Sequence, residues 1–279
     1  MKENQTNKII KPFLRWVGGK RWLINKVDHI IPNEINNYFE PFLGGGAMFI
    51  HLIQNKKING TSFLSDINPD LINSYNVIKN DSESLIKDLK RYKNEKEFYY
   101  NQRAKNHKSD IKRASQFIFL NRTSFNGIYR ENLKGEYNVP YGFKKYQKLF
   151  DYDNLNMLSD LFVKSEFSSD DFDTIKNKVK KGDFVYLDPP YTIVHSENGF
   201  IKYNQKLFSW DDQIRLRNLI KYLENEKIDY ILSNAYHHSI EKLYYLSKAS
   251  KKVLERASVI GGKNSKRQKY KEILISNIK

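Results

Sequence analysis

The sequence predicts an α/β protein: a mostly parallel sheet with helices on both faces, an antiparallel edge hairpin, and an inserted, mainly helical module with a β-hairpin of its own. Three observations predict it. Short apolar runs bounded by turn residues alternate with stretches of helical periodicity at both ends of the chain. A glycine cluster, Gly44-Gly45-Gly46, separates the first such run from the first long helical pattern. A later run, Phe184-Val185-Tyr186-Leu187, is cut off by Asp188-Pro189-Pro190-Tyr191; neither proline can donate to a ladder, and the first also restricts the residue before it.

In chain order, strands are expected at residues 38–42, 62–65, 184–187 and 229–232. Helices at 47–55, 69–79, 211–224 and 238–247 fill the intervals, the alternation that builds a parallel sheet. Near the C-terminus, 252–257 and 272–277 read as two strands joined by the basic loop 261–271, an antiparallel edge pair. The middle differs in character. Residues 82–113 are charged, helical and dotted with aromatics, and 121–142 are rich in Asn, Gly, Tyr and Arg. Residues 71–160 are therefore expected to be an inserted module with one hairpin turning at Leu133-Lys134-Gly135-Glu136, and 1–70 with 161–279 to form the sheet domain.

Composition narrows the function. Forty-eight Lys plus Arg against 32 Asp plus Glu give a net charge of +16, and aromatics make up 14% of residues. Cations for phosphates interleaved with rings for bases suit a nucleic-acid partner, against the plainer reading of a merely basic soluble protein. The chain has no cysteine, which removes disulfides, thiolate metal sites and cytosine C5 methylation through a sulfur nucleophile. No run approaches the roughly 20 apolar residues of a membrane span, so a cytoplasmic protein is expected; a monomer in solution is a separate expectation. The six histidines include one close pair, His237-His238, without i, i+4 spacing or a nearby third ligand, so no metal is expected.

The Asp-Pro-Pro-Tyr segment carries the chemistry. A carboxylate, a proline carbonyl and an aromatic ring leave the sheet together; Asp188 and Pro189 can accept hydrogen bonds from an exocyclic amine while Tyr191 stacks on its base. The amino nitrogen of adenine is a poor nucleophile because its lone pair is delocalised, and two acceptors favour a more pyramidal, more reactive nitrogen. A simple strand cap at a turn is the competing reading. The glycine cluster lets backbone approach a ligand at a helix start, and Asp66 follows Gly44 by 22 residues (66 − 44), near the spacing of about 20 for an acid that binds ribose hydroxyls. Asp66 can equally be a helix N-cap before Asn68-Pro69. Arg15-Trp16-Val17-Gly18-Gly19-Lys20 reads either as a nucleoside cover with a lysine for a carboxylate or as a surface turn with a packed Trp.

Taken together, these pieces resemble the Dam-like, GATC-modifying DNA adenine-N6 methyltransferases nearly end to end. The likeness lies in Trp-Val-Gly-Gly-Lys at 16–20, Glu-Pro-Phe-Leu-Gly-Gly-Gly at 40–46, Asp-Ile-Asn-Pro-Asp-Leu at 66–71, the stretch 120–142 and Leu-Asp-Pro-Pro-Tyr at 187–191. The resemblance implies a class I methyltransferase fold, S-adenosylmethionine as cofactor and duplex DNA as partner. It implies cofactor contacts at Trp16, Lys20, Phe42, Gly44, Gly46, Asp66 and Asp188, with Asp188 bridging methyl donor and target base and Pro189, Pro190 and Tyr191 completing the catalytic segment. Residues 166–172 lie where the family meets the cofactor's adenine, but the motif is loose and no residue is assigned.

In the segment 120–142, Arg130 can donate a bidentate pair to guanine, Ile128 and Pro140 can contact a thymine methyl, and Phe125 can wedge into the stack that a flipped adenine vacates. Asn126, in the same turn, is also expected to contact DNA. Arg130 touching phosphate alone is the alternative. The resemblance adds Arg15 as a base contact, where many relatives carry lysine. Lys263, Lys266 and Arg267 are expected to meet phosphates, or else to form a solvated charge run. An N4-cytosine methyltransferase, an RNA or protein methyltransferase, and a non-catalytic DNA-binding module of the same fold are the rivals.

Overall fold

The computed structural model describes residues 9–132, 135–192, 208–245, 249–257 and 269–278. The chain divides into two compact units, one of residues 1–29, 43–58 and 65–169, the other of 30–42, 59–64 and 170–279.

The first unit holds the helices α1 (Arg21–Val27), α2 (Ala47–Gln54), α3 (Pro69–Leu89), α4 (Lys96–Arg103), α5 (Asp110–Thr123) and α6 (Tyr152–Leu161). Helix α3 begins at Pro69 because Asn68 caps it, its side chain accepting from the N–H groups of Asp70 and Leu71. The helix expected at 69–79 does not stop there. Asp81 leaves helical geometry (φ −155°, ψ 60°), its carboxylate accepts from Ser84 N at 3.1 Å, and a second helical stretch runs on to Leu89. Helices α5 and α6 pack along α3. Aromatic rings fill the space between elements: Tyr75 stacks on Phe167 at 5.0 Å, and Phe49 on Phe162 at 5.5 Å. Phe167 lies on β3 (Ser165–Ser168), a strand absent from the sequence expectations because Ser-Glu-Phe-Ser offers only two inward positions, Ser165 and Phe167.

The second unit contains β1 (Tyr38–Glu40), most of β2 (Ser62–Ser65), β4 (Phe184–Leu187), β5 (Asp229–Ala235), β6 (Ser250–Ala257) and β7 (Lys269–Ser276) in the spatial order β2-β1-β4-β5-β7-β6. The β2-β1, β1-β4 and β4-β5 pairs are parallel, and β5-β7 and β7-β6 are antiparallel. This is the mostly parallel sheet with an antiparallel edge pair. All four residues of β4 are buried, as a strand covered on both faces requires. Val185, Leu187, Tyr230, Leu232, Ile273 and Ile275 pack with Leu216, Leu219, Ile220 and Leu223 of α7 (Trp210–Asn225), which starts in a capping box between Ser209 and Asp212.

Several boundaries move from expectation. Strand β1 ends at Glu40 rather than residue 42, before Pro41, which has no N–H to give. Strand β5 runs past 232 to Ala235 because Ser233, Asn234 and Ala235 pair with Leu274, Ile273 and Glu272 of β7. Helix α8 (His238–Leu243) stops short of the expected 247, and residues 246–248 lie outside the described set.

Candidate active site

In the first unit the glycine turn is held from three sides. Gly44 and Gly46 have φ of 46° and 62°, where a side chain strains the backbone. A Cβ on Gly44 would come within 2.7 Å of Trp16 Cδ1, and one on Gly46 within 2.8 Å of the Tyr75 hydroxyl oxygen. That hydroxyl donates to the Gly44 carbonyl at 3.0 Å. Asp66 Oδ2 accepts from Gly44 N and Oδ1 from Asn68 N, both at 3.0 Å. Burial pushes the Asp66 carboxyl above its ordinary range, and the two N–H groups pull it partly back. The helix cap weighed for Asp66 is taken by Asn68, so Asp66 serves the turn instead.

Trp16, Gly44 and Asp66 thus form one contact chain, with Gly46 in the same turn. The Trp16 ring stacks on Tyr129 at 5.7 Å. Lys20 is 4% exposed and donates from Nζ to the Gly18 carbonyl at 3.0 Å, a buried cation held just before α1. Phe42 belongs to the second unit, where its ring packs against Phe172 at 5.2 Å and Phe208 at 5.6 Å.

Helix α5 delivers the second group of residues. It ends in a 3-10 turn, Phe125–Gly127, with Asn126 at φ 56° and Phe125 N donating to the Pro140 carbonyl at 2.9 Å. Antiparallel bridges Ser124 to Tyr141 and Glu131 to Tyr137, with Asn132 N donating to Glu136 O at 2.9 Å, make the expected hairpin; Leu133 and Lys134 lie outside the described residues. Arg15, Phe125, Asn126, Arg130 and Pro140 are exposed, Phe125 at 52%. Arg130 is steadied through Nε, which donates to Asn138 Oδ1 at 2.8 Å. Ile128 is half-buried, its carbonyl accepting the Tyr137 hydroxyl at 2.9 Å, and burial pushes that phenol up to about 12. Asn121 joins Arg15 to this turn: it exchanges two hydrogen bonds with the Arg15 backbone and donates to the Gly127 carbonyl at 3.1 Å. Its signal in the sequence is an amide at the end of the apolar run Phe117-Ile118-Phe119-Leu120. Lys263, Lys266 and Arg267 lie outside the described residues.

In the second unit, Asp188 leaves the end of β4 half-buried, and its Oδ1 accepts the Ser233 hydroxyl at 2.8 Å. Pro189 is buried, Pro190 exposed and Tyr191 half-buried. The next residue is tied down by a buried polar row unforeseen in the sequence: Asn234 Nδ2 donates to Gln213 Oε1 at 3.1 Å, Gln213 Nε2 to Thr192 Oγ1 at 3.0 Å, and Thr192 Oγ1 to the Phe208 carbonyl at 3.0 Å. Gln213 sits on the apolar face of α7, three residues before Leu216, and Ser233-Asn234 prolong the apolar run Tyr230-Ile231-Leu232. Polar residues on such stripes are the available signal.

His237 caps α8, accepting from Ser239 N, and its ring lies 4.3 Å from that of His238. Among the described residues no group of three or more His, Cys, Asp or Glu side chains is placed to hold a metal, and no helix is long and apolar enough to cross a membrane.

The sequence matches, over residues 16–260, the family model described as D12 class N6 adenine-specific DNA methyltransferase. It is 37% identical to the type II methyltransferase M.MjaIII of Methanocaldococcus jannaschii, over 96% of this chain and 99% of that one. The type II methyltransferase M1.LlaDCHI of Lactococcus lactis subsp. cremoris is 35% identical over 98% of each chain. A DNA adenine methylase of Haemophilus influenzae is 33% identical over 95% of this chain and 92% of its own.

Proposed function

The chain belongs to the D12 class N6 adenine-specific DNA methyltransferases, and from that premise we propose that it methylates adenine within GATC in duplex DNA, taking the base out of the stack to do so. Its substrate is DNA, and the family implies a methyl donor of the S-adenosylmethionine type.

The residues of the first unit fit such a donor. A buried cation at Lys20, a carboxylate at Asp66, the Trp16 indole and a glycine turn that admits no side chain are the groups a zwitterionic nucleoside calls for. Asp66 already accepts two backbone N–H groups, and a carboxylate with about four lone-pair sites retains capacity for hydroxyl donors. S-adenosylmethionine, when bound, supplies an electrophilic methyl group. The rest is the work of the chain. Asp188 and the Pro189 carbonyl accept the two hydrogens of the adenine amine, which localises the nitrogen lone pair for attack, and Tyr191 stacks on the base.

Target choice is assigned to the hairpin of residues 120–142, within the recognition module proposed at 71–160, where Arg130 is held by one nitrogen and carries its remaining donors in a planar fork. Phosphate contacts are assigned to Lys263, Lys266 and Arg267. The GATC sequence itself rests on the likeness of this stretch to the GATC-modifying type. The observation that carries the proposal is the Asp188 carboxylate at the end of a buried parallel strand, fixed through one oxygen by Ser233.

The test is base-resolved sequencing of DNA from cells expressing the protein, beside Asp188→Ala. N6-methyladenine confined to GATC, lost in the variant while its far-UV circular dichroism stays that of the folded protein, is expected. N4-methylcytosine, another flanking sequence, or undiminished methylation by Asp188→Ala would overturn the reading.

A further inference from the structure

Strands β4 and β5 are in parallel register with Tyr186 beside Ile231 and Leu187 beside Leu232, so the next residues along, Asp188 and Ser233, are neighbours. Ser233 Oγ lies 2.8 Å from Asp188 Oδ1 and 3.2 Å from the Tyr186 hydroxyl oxygen. A serine hydroxyl has one hydrogen and a carboxylate only accepts. Ser233 therefore donates to Asp188, and Tyr186 is left to donate to Ser233. Both hydroxyl-bearing residues are 1% exposed. Burial holds the Tyr186 phenol well above its ordinary range, as do the nearby carboxylates of Asp188, Glu40 and Glu272, so it keeps its hydrogen as a donor at any working pH.

We infer that Ser233, oriented by Tyr186, is a positioning residue for methyl transfer: the row Tyr186 to Ser233 to Asp188 fixes the rotation of the carboxylate that receives the adenine amine. This inference deepens the proposed function and rests on it. Asp188 is only half-buried and sits where the chain leaves its strand, and the hydrogen bond from Ser233 on the neighbouring strand holds one of its carboxylate oxygens. Ser233 is 1% exposed and so is not itself part of the surface that meets base or donor. The effect should therefore appear in turnover rather than in affinity.

The experiment is steady-state and binding analysis of Ser233→Ala, Ser233→Thr and Tyr186→Phe on a duplex containing GATC, with S-adenosylmethionine. Ser233→Ala is expected to lower kcat on the order of 10- to 100-fold, the worth of a hydrogen bond to a charged group, with KM for DNA and the calorimetric affinity for S-adenosylmethionine within about twofold of wild type. Ser233→Thr, which restores the hydroxyl, should recover most of the rate, and Tyr186→Phe should lose less than Ser233→Ala. Wild-type kcat in Ser233→Ala overturns the inference alone, as does a loss that tracks donor affinity or melting temperature, or one that threonine fails to rescue. If the wild-type enzyme makes no N6-methyladenine in the same assay, the proposed function falls and the inference with it.

Discussion

The side-chain amide of Asn121 grips the backbone of Arg15 at both ends: Oδ1 accepts Arg15 N–H at 2.9 Å and Nδ2 donates to the Arg15 carbonyl at 2.8 Å. Asn121 is 1% exposed, so these bonds are made without competition from water. Its further bond to the Gly127 carbonyl sets Arg15 beside the turn that carries Phe125 and Asn126. Asn121→Ala leaves these backbone groups unpaired and should destabilise the protein by about 2–3 kcal/mol in urea unfolding. It should also blur site choice in sequenced DNA, since Arg15 then lacks a fixed position relative to the hairpin.

Gly44→Ala meets two obstacles at once, a left-handed backbone and the Trp16 indole 2.7 Å from the new methyl carbon. The backbone term alone is about 1 kcal/mol or more. Displacing Trp16 disturbs the proposed donor surface, so calorimetric titration with S-adenosylmethionine should show affinity falling at least tenfold. Unchanged affinity would remove the glycine turn from that surface.

The Asp66 carboxyl, raised by burial, makes stability depend on pH in a definite direction. Its folded state holds a proton more tightly than the unfolded chain, so this group's contribution is fully present below the ordinary value of 3.8 and is lost as pH rises through the raised one. Asp66→Asn cannot ionise and keeps one oxygen for the turn. Between pH 4 and pH 7, the urea midpoint of Asp66→Asn should rise relative to wild type; a constant or falling difference would show that the carboxylate is not penalised.

Arg130→Ala and Phe125→Ala should separate two roles. Without Arg130, methylation in sequenced plasmid DNA should spread from GATC to sites altered at one base, a loss of about 1–3 kcal/mol in discrimination. Without the exposed Phe125 ring, site choice should persist while the fluorescence rise of 2-aminopurine placed at the target adenine slows or shrinks. An unchanged methylation pattern in the first variant, or an unchanged fluorescence signal in the second, would reject the corresponding role.

Much of this was legible because the relevant signals are local. Phe184–Leu187 is a strand at the expected bounds, since an unbroken apolar run ended by two prolines permits little else, and Ser62–Ser65 and the start of α2 at Ala47 also fall where expected. What escaped depends on partners distant in sequence. Strand β3 has too few apolar residues to announce itself, and the polar end of β5 is a strand only because β7 pairs with it. Among the candidate functional residues, Asp188, Gly44 and Asp66 stand out by spacing and residue type. Asn121, Ser233 and Gln213 do not, because a buried polar side chain is recognisable only once its partner is known.

The row from Asn234 through Gln213 to Thr192 runs with every hydrogen pointing the same way, each nitrogen or hydroxyl giving to the next oxygen. Its members are therefore selected by the order of their atoms and not by size. Glutamate at 213, nearly superimposable on glutamine, would confront the Thr192 oxygen with a second acceptor and bring an ion into a dry interior, whereas methionine would merely leave two groups wanting. At this position the substitution that looks gentlest on paper is the harsher one for the segment that follows Tyr191.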